Sequence, residues 1–112
     1  MAWAKTGVAL GALPPGTMRE VDLDGTAVLL VRLGPEVHAV AGICTHEGGI
    51  LADGSLAGAR IKCPVHGAVF DARDGSVLAD PDDVEPPEGV ARPLQRYSTR
   101  VLDGMVEVDL GA

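Results

Sequence analysis

Tyr97-Ser-Thr-Arg-Val-Leu102-Asp103-Gly104-Met105-Val-Glu-Val-Asp-Leu110 reads as two strands folded back on a tight turn. Asp-Gly between two apolar alternations is a strong short-range hairpin signal, because both central residues of a type I′ turn take positive φ. In the second strand Val106, Val108 and Leu110 share one face at a period of two. Glu107 and Asp109 are then expected to point to water, as in a half-buried strand.

Outward from this hairpin the same punctuation recurs at Asp24-Gly25, Asp53-Gly54 and Asp74-Gly75. Asp24-Gly25 joins Val21 and Leu23 to a β-rich stretch from Thr26 to Arg32, and Gly34-Pro35 turns the chain into a third strand, Glu36 to Ala41. No segment sustains a helical period over three turns, and eight prolines with fifteen glycines discourage long helices. The expectation is an all-β fold of short antiparallel strands, a sandwich or small barrel. Without repeats or a linker, the 112 residues (1–112) are expected to form a single domain. Asp80 to Pro93 carries four prolines among acids and cannot be a central strand. It reads as a proline-stiffened surface connection, or as a loop that shields a neighbouring site.

A net charge of −7 argues against nucleic acid or an anionic membrane as partner and suits docking on a more basic protein surface. The longest apolar run, Ala27 to Val31, is far short of the roughly twenty residues that cross a bilayer. The N-terminus carries no twin arginine and no convincing small-residue cleavage site, so a cytoplasmic location is expected.

Both cysteines and two of the three histidines fall in two short segments, Cys44-Thr45-His46 and Cys63-Pro64-Val65-His66, sixteen residues apart. A disulfide would leave both histidines unexplained. Structural zinc sites pair like with like, whereas each segment here mixes thiol and imidazole. Cys-x-His followed by Cys-x-x-His is instead the ligand set of a [2Fe–2S] centre in which two thiolates hold one iron and two imidazoles the other. Cys44, His46, Cys63 and His66 are therefore the candidate metal ligands. Gly48, Gly49 and Gly67 would let backbone N–H groups come close to sulfur, with ordinary turns as the plainer reading. Ile50, Leu51, Val65 and Phe70 are candidates for a dry shell, and Pro64 stiffens the second segment.

These two boxes, Cys44-Thr-His-Glu-Gly-Gly-Ile-Leu51 and Cys63-Pro-Val-His-Gly-Ala-Val-Phe70-Asp71, resemble those of the Rieske family. Asp74-Gly75 and Pro86-Pro87 sit where the family has a hairpin and a proline loop, and the resemblance runs from about Val21 to Leu110. The chain is most similar to the small soluble ferredoxins of bacterial aromatic-ring dioxygenases and related multicomponent oxygenases. The resemblance implies three antiparallel sheets, a cluster-binding part (about 42–79) at one tip with its histidines near solvent, and one [2Fe–2S] cluster per chain. It departs from the respiratory branch, which has a second cysteine in each box where this chain has Gly49 and Val65. That branch also offers serine and tyrosine hydroxyls to the sulfurs where this chain has Ala68 and Phe70. Fewer hydrogen bonds to sulfur imply a lower potential.

The function so implied is a soluble one-electron carrier, monomeric in solution. It would take electrons from an NAD(P)H-dependent flavoprotein reductase and pass them to a terminal oxygenase or other redox enzyme. The chain is not expected to be an enzyme by itself. A mononuclear iron centre needs two histidines and a carboxylate, and only His38 remains outside the boxes. Small subunits of NAD(P)H nitrite reductases also resemble this domain, and many of them have lost the ligands that are intact here. His38 reads as a surface strand residue, Trp3 as a packing anchor, and the acids Asp80, Asp82, Asp83, Glu85 and Glu88 as a solvated face.

Overall fold

The computed structural model describes residues 3–45, 49–65, 67–79 and 91–111. Among them, β1 (Trp3–Ala9), β2 (Met18–Leu23), β3 (Thr26–Leu33) and β4 (Glu36–Ala41) come first. Four short strands follow: β5 (Ser55–Ala57), β6 (Arg60–Lys62), β7 (Val69–Asp71) and β8 (Val77–Ala79). The chain then returns as β9 (Arg96–Leu102) and β10 (Met105–Asp109). All pairings are antiparallel.

Six strands form one sheet in the order β1-β10-β9-β4-β3-β2, and β5-β6-β7-β8 form a second. The larger sheet is joined at its middle by only two residue pairs, Ala39↔Tyr97 and Val40↔Arg96. It therefore behaves as two three-stranded sheets, which with the smaller one make the three antiparallel layers that the resemblance implied. The edge strands β1 and β2 lie against one another, which curls the larger sheet toward a barrel. Two of the Asp-Gly hairpins form as expected, with φ of 54° and 86° at Asp24-Gly25 and 52° and 78° at Asp103-Gly104.

Two cores flank the sheet. Val28, Leu30, Val37, Ala39, Val106 and Val108 fill the inside of the curled sheet. On its other face Leu29, Val31 and Val40 meet Leu51, Ile61, Phe70 and Leu94, so the four-stranded sheet packs there. The uninterrupted apolar run Ala27 to Val31 is thus a strand buried on both faces, not an alternating one.

Three sequence expectations change. Asp53-Gly54 is not a hairpin. It ends a 3-10 turn, Leu51–Asp53, and a Cβ on Gly54 would collide with the backbone oxygen of Lys62. β1, unread in the sequence because Gly7 interrupts a weak alternation, pairs along β10. Glu107 and Asp109 do not face water, being only 5% and 7% exposed. β10 is an inner strand, flanked by β1 and β9, whose side chains shade its outer face. Arg100 reaches across from β9 to place Nη2 2.7 Å and Nε 2.8 Å from Glu107 Oε1, and its guanidinium stacks 4.3 Å from the centre of the Trp3 ring.

A buried carboxylate whose partner is removed loses its compensation. Arg100→Ala is expected to destabilise the protein by about 1–3 kcal/mol, with part of the loss recovered when Glu107→Gln is added. Denaturant midpoints of the single and double variants measure this.

Candidate metal centre

β4 leads through Gly42 and Ile43 into the first Cys/His segment. The loop is closed at its base by Cys44 N–H donating to Gly49 O at 2.8 Å and by an Ile43↔Ile50 bridge. The second segment is the turn between β6 and β7, closed by Cys63 N–H donating to Ala68 O at 2.8 Å. Gly67 there has φ of 79°, which explains a glycine at that place.

Both cysteines are free thiols buried in the core shared with Leu51, Ile61 and Phe70. They are neighbours. Burial pushes the Cys63 thiol above its ordinary value, the Val65 backbone N–H opposes this, and Cys44 adds to the rise through its hydrogen bond and charge. Gly49 is fixed by close approach rather than by turn geometry. A Cβ there would lie 2.9 Å from Cys63 Sγ and 3.1 Å from Val65 Cγ2.

The expected dry shell is half right. Leu51 and Phe70 are fully buried, but Ile50 and Val65 are 44% and 38% exposed. They stand with Ile43, 40% exposed, as an apolar rim about the loops. His46, His66 and Gly48 lie outside the described residues. So do 80–90, with the acidic run and Pro81, Pro86 and Pro87.

His38 is half-buried rather than a free surface residue, and its Nε2 lies 3.2 Å from Glu36 Oε1. Sequence reading missed the ion pair near it. Asp71, buried at the end of β7, takes two hydrogen bonds from the Arg73 guanidinium, at 2.7 and 3.0 Å, and one from Arg73 N–H at 2.8 Å. The guanidinium hydrogen bonds hold the Asp71 carboxyl below its ordinary value. Burial opposes them, while the Arg73 backbone N–H, its charge and that of His38 assist. Asp-x-Arg just after a short strand was the available signal.

Comparison with known proteins agrees with this geometry. Residues 6–98 match the family described as Rieske [2Fe-2S] domain. The ferredoxin component of a naphthalene 1,2-dioxygenase system from Pseudomonas aeruginosa is 30% identical over 103 residues, which cover 92% of this chain and 91% of the relative. A chain in the complex of reduced oxygenase and oxidized ferredoxin in carbazole 1,9a-dioxygenase superposes with a TM-score of 0.79 at 31% identity, covering 95% of this chain and 91% of that one. A protein from Mycobacterium tuberculosis described as an NADH-dependent nitrite reductase small subunit gives a TM-score of 0.79 at 28% identity, covering 99% and 96%.

The residues present fit such a cluster. Two buried, unbridged thiols lie side by side on facing loops, and a glycine keeps side-chain bulk off one sulfur. Soft thiolate donors of this kind suit iron–sulfur binding.

Gly49→Ala drives a methyl against Cys63 Sγ, and the expected result is a protein that folds but retains little iron, read by metal analysis and visible absorbance. Asp71 should respond to its own partner. A carboxyl held low in the fold stabilises it above the unfolded value of about 3.9, and that contribution is lost as pH falls through the folded value. Arg73→Gln is expected to raise the Asp71 titration toward the ordinary range, followed by carboxyl NMR shifts.

Proposed function

The chain belongs to the Rieske [2Fe–2S] family and carries one [2Fe–2S] cluster, and from that premise we propose that it is a soluble electron carrier. In this reading it accepts single electrons from an NAD(P)H-dependent flavoprotein reductase and delivers them to a terminal oxygenase, in the cytoplasm, without turning over a substrate itself. The observation that carries the reading is the pair of adjacent buried thiols on two loops. In the sequence each loop also supplies a histidine, His46 two residues after Cys44 and His66 three after Cys63.

When bound, the cluster supplies one reversible electron and no bond-making chemistry. Cys44 and Cys63 would hold one iron, and His46 and His66 the other. Leu51 and Phe70 keep water from the thiolates from below, and the exposed Ile43, Ile50 and Val65 offer an apolar rim on which a partner can seat. Ala68 and Phe70, both buried beside Cys63, have no hydroxyl to donate to sulfur. Among the described residues no group of three or more His, Cys, Asp or Glu could hold a further metal. We also take 1–112 as one domain, since one core joins β1 to β10 and the other joins β3 and β4 to β6, β7 and residues 91–94.

Likeness to the nitrite reductase small subunit favours a second reading, a permanent subunit of a reductase. The intact ligand set speaks for the carrier.

Reduction with dithionite tests the proposal. A red-brown protein with a rhombic reduced-state EPR signal is expected, and Ala in place of His46 or His66 should abolish it. A redox titration should give a midpoint below about zero within the roughly −150 to +300 mV span of such centres. A colourless protein would overturn the reading, and a midpoint well above zero would overturn the argument from Ala68 and Phe70.

A further inference from the structure

Residues 91–95 form a strap that is in no sheet yet is bonded to three separate parts of the fold. Gln95 O accepts from Ala41 N–H at the end of β4 (2.8 Å), and Leu94 N–H donates to Gly75 O in the β7–β8 loop (2.8 Å). Arg92 meets the first Cys/His loop through both of its backbone groups. Thr45 Oγ1 donates to Arg92 O at 2.7 Å and accepts from Arg92 N–H at 2.9 Å. Leu94 and Ala91 are buried in the core that holds Cys44 and Cys63. Gly75 fits so closely under the strap that a Cβ there would strike Leu94 O.

Thr45 stands between Cys44 and His46 in the sequence, so whatever fixes its side chain fixes the backbone between two candidate ligands. The base of the loop is tied by Cys44 N–H to Gly49 O. The Thr45 hydroxyl ties the next residue to a strap that is itself pinned to β4 and to the β7–β8 loop. One hydroxyl that both donates to and accepts from the same residue constrains rotation as well as distance.

We propose that Thr45 is a positioning residue for the cluster. Its hydroxyl clasps Arg92 and holds the first ligand loop in register with the second. The proposal rests on the reading of the chain as a cluster protein. Thr45→Val keeps the shape of the side chain and loses both hydrogen bonds, whereas Thr45→Ser keeps the hydroxyl.

The test compares wild type, Thr45→Val, Thr45→Ala and Thr45→Ser as isolated holoproteins. The readouts are the rate of cluster loss to an iron chelator, followed by visible absorbance, the reduced-state EPR line shape and the far-ultraviolet circular dichroism. Loss of two hydrogen bonds of ordinary strength should speed cluster loss by about tenfold or more in the Val and Ala variants. Their EPR signal should broaden while the β-sheet spectrum stays intact, and Ser should stay within about twofold of wild type on the same scale. Val and Ala variants that match wild type would overturn the proposal. So would a Ser variant as leaky as Val, or Val and Ala variants that lose the sheet spectrum, since Thr45 would then be a folding residue. A wild-type protein without a cluster would overturn the underlying reading as well, and the wild-type spectrum alone identifies that case.

Discussion

Everything about the site depends on keeping two thiols side by side away from water although they arrive on different sheets. Cys44 leaves the large sheet at the end of β4, and Cys63 leaves the small sheet at the end of β6. Nothing covalent joins the two loops. Their meeting is enforced by a single core in which Leu29, Val31 and Val40 from one sheet interdigitate with Ile61, Phe70 and Leu94 from the other and its connections. Close packing makes that arrangement discrete rather than adjustable, because a core at crystal-like density has one good fit. Glycine then appears where two chains approach too closely for any side chain, at Gly49 against Cys63 and at Gly54 against Lys62.

The sheet between the two cores divides the labour. Its inner face, filled mainly by valines and leucines, makes a barrel that owes nothing to the Cys/His loops. Its outer face is half of the site's foundation. Because β3 serves both, its central residues are apolar without interruption. The strands far from the loops can be stabilised by charge instead. Glu107, Arg100 and Trp3 form a stacked arrangement on the outer face of β10, and the buried Glu107 is tolerated there because it is paired with a guanidinium that stays partly exposed.

Legibility in the sequence followed the range of the interactions. The turns at Asp24-Gly25 and Asp103-Gly104 are decided by two residues' own φ preferences, so they could be read directly. The Cys/His spacing was equally local. Asp53-Gly54 carries the same dipeptide but is governed by its contact with Lys62, eight residues away, which no local signal announces. Alternation misled at Glu107, because a partner on β9 and a stacked aromatic from β1 can bury a carboxylate that the period of two assigns to solvent. The strap at 91–95 has no alternation, and Pro93 marked it only as part of a surface connection. It is defined by what it touches, and all of that lies far off in the chain.

The exposed aliphatic residues bear on whether such a domain works alone or as part of a fixed assembly. Among the described residues three stand around the loops, Ile43, Ile50 and Val65, each between 38% and 44% exposed. A second small group, Val101, Leu102 and Met105, sits at the β9–β10 turn. Permanent interfaces generally bury 2,000 Å² or more and look like a domain core cut in half, whereas weak electron-transfer encounters fall below about 1,200 Å². Three partly exposed side chains supply only a fraction of the larger figure. An apolar group of that size can expel water where two proteins touch without holding them together permanently. The proposed carrier role requires release of one partner before the next is met, and a rim of this size is consistent with such brief contacts.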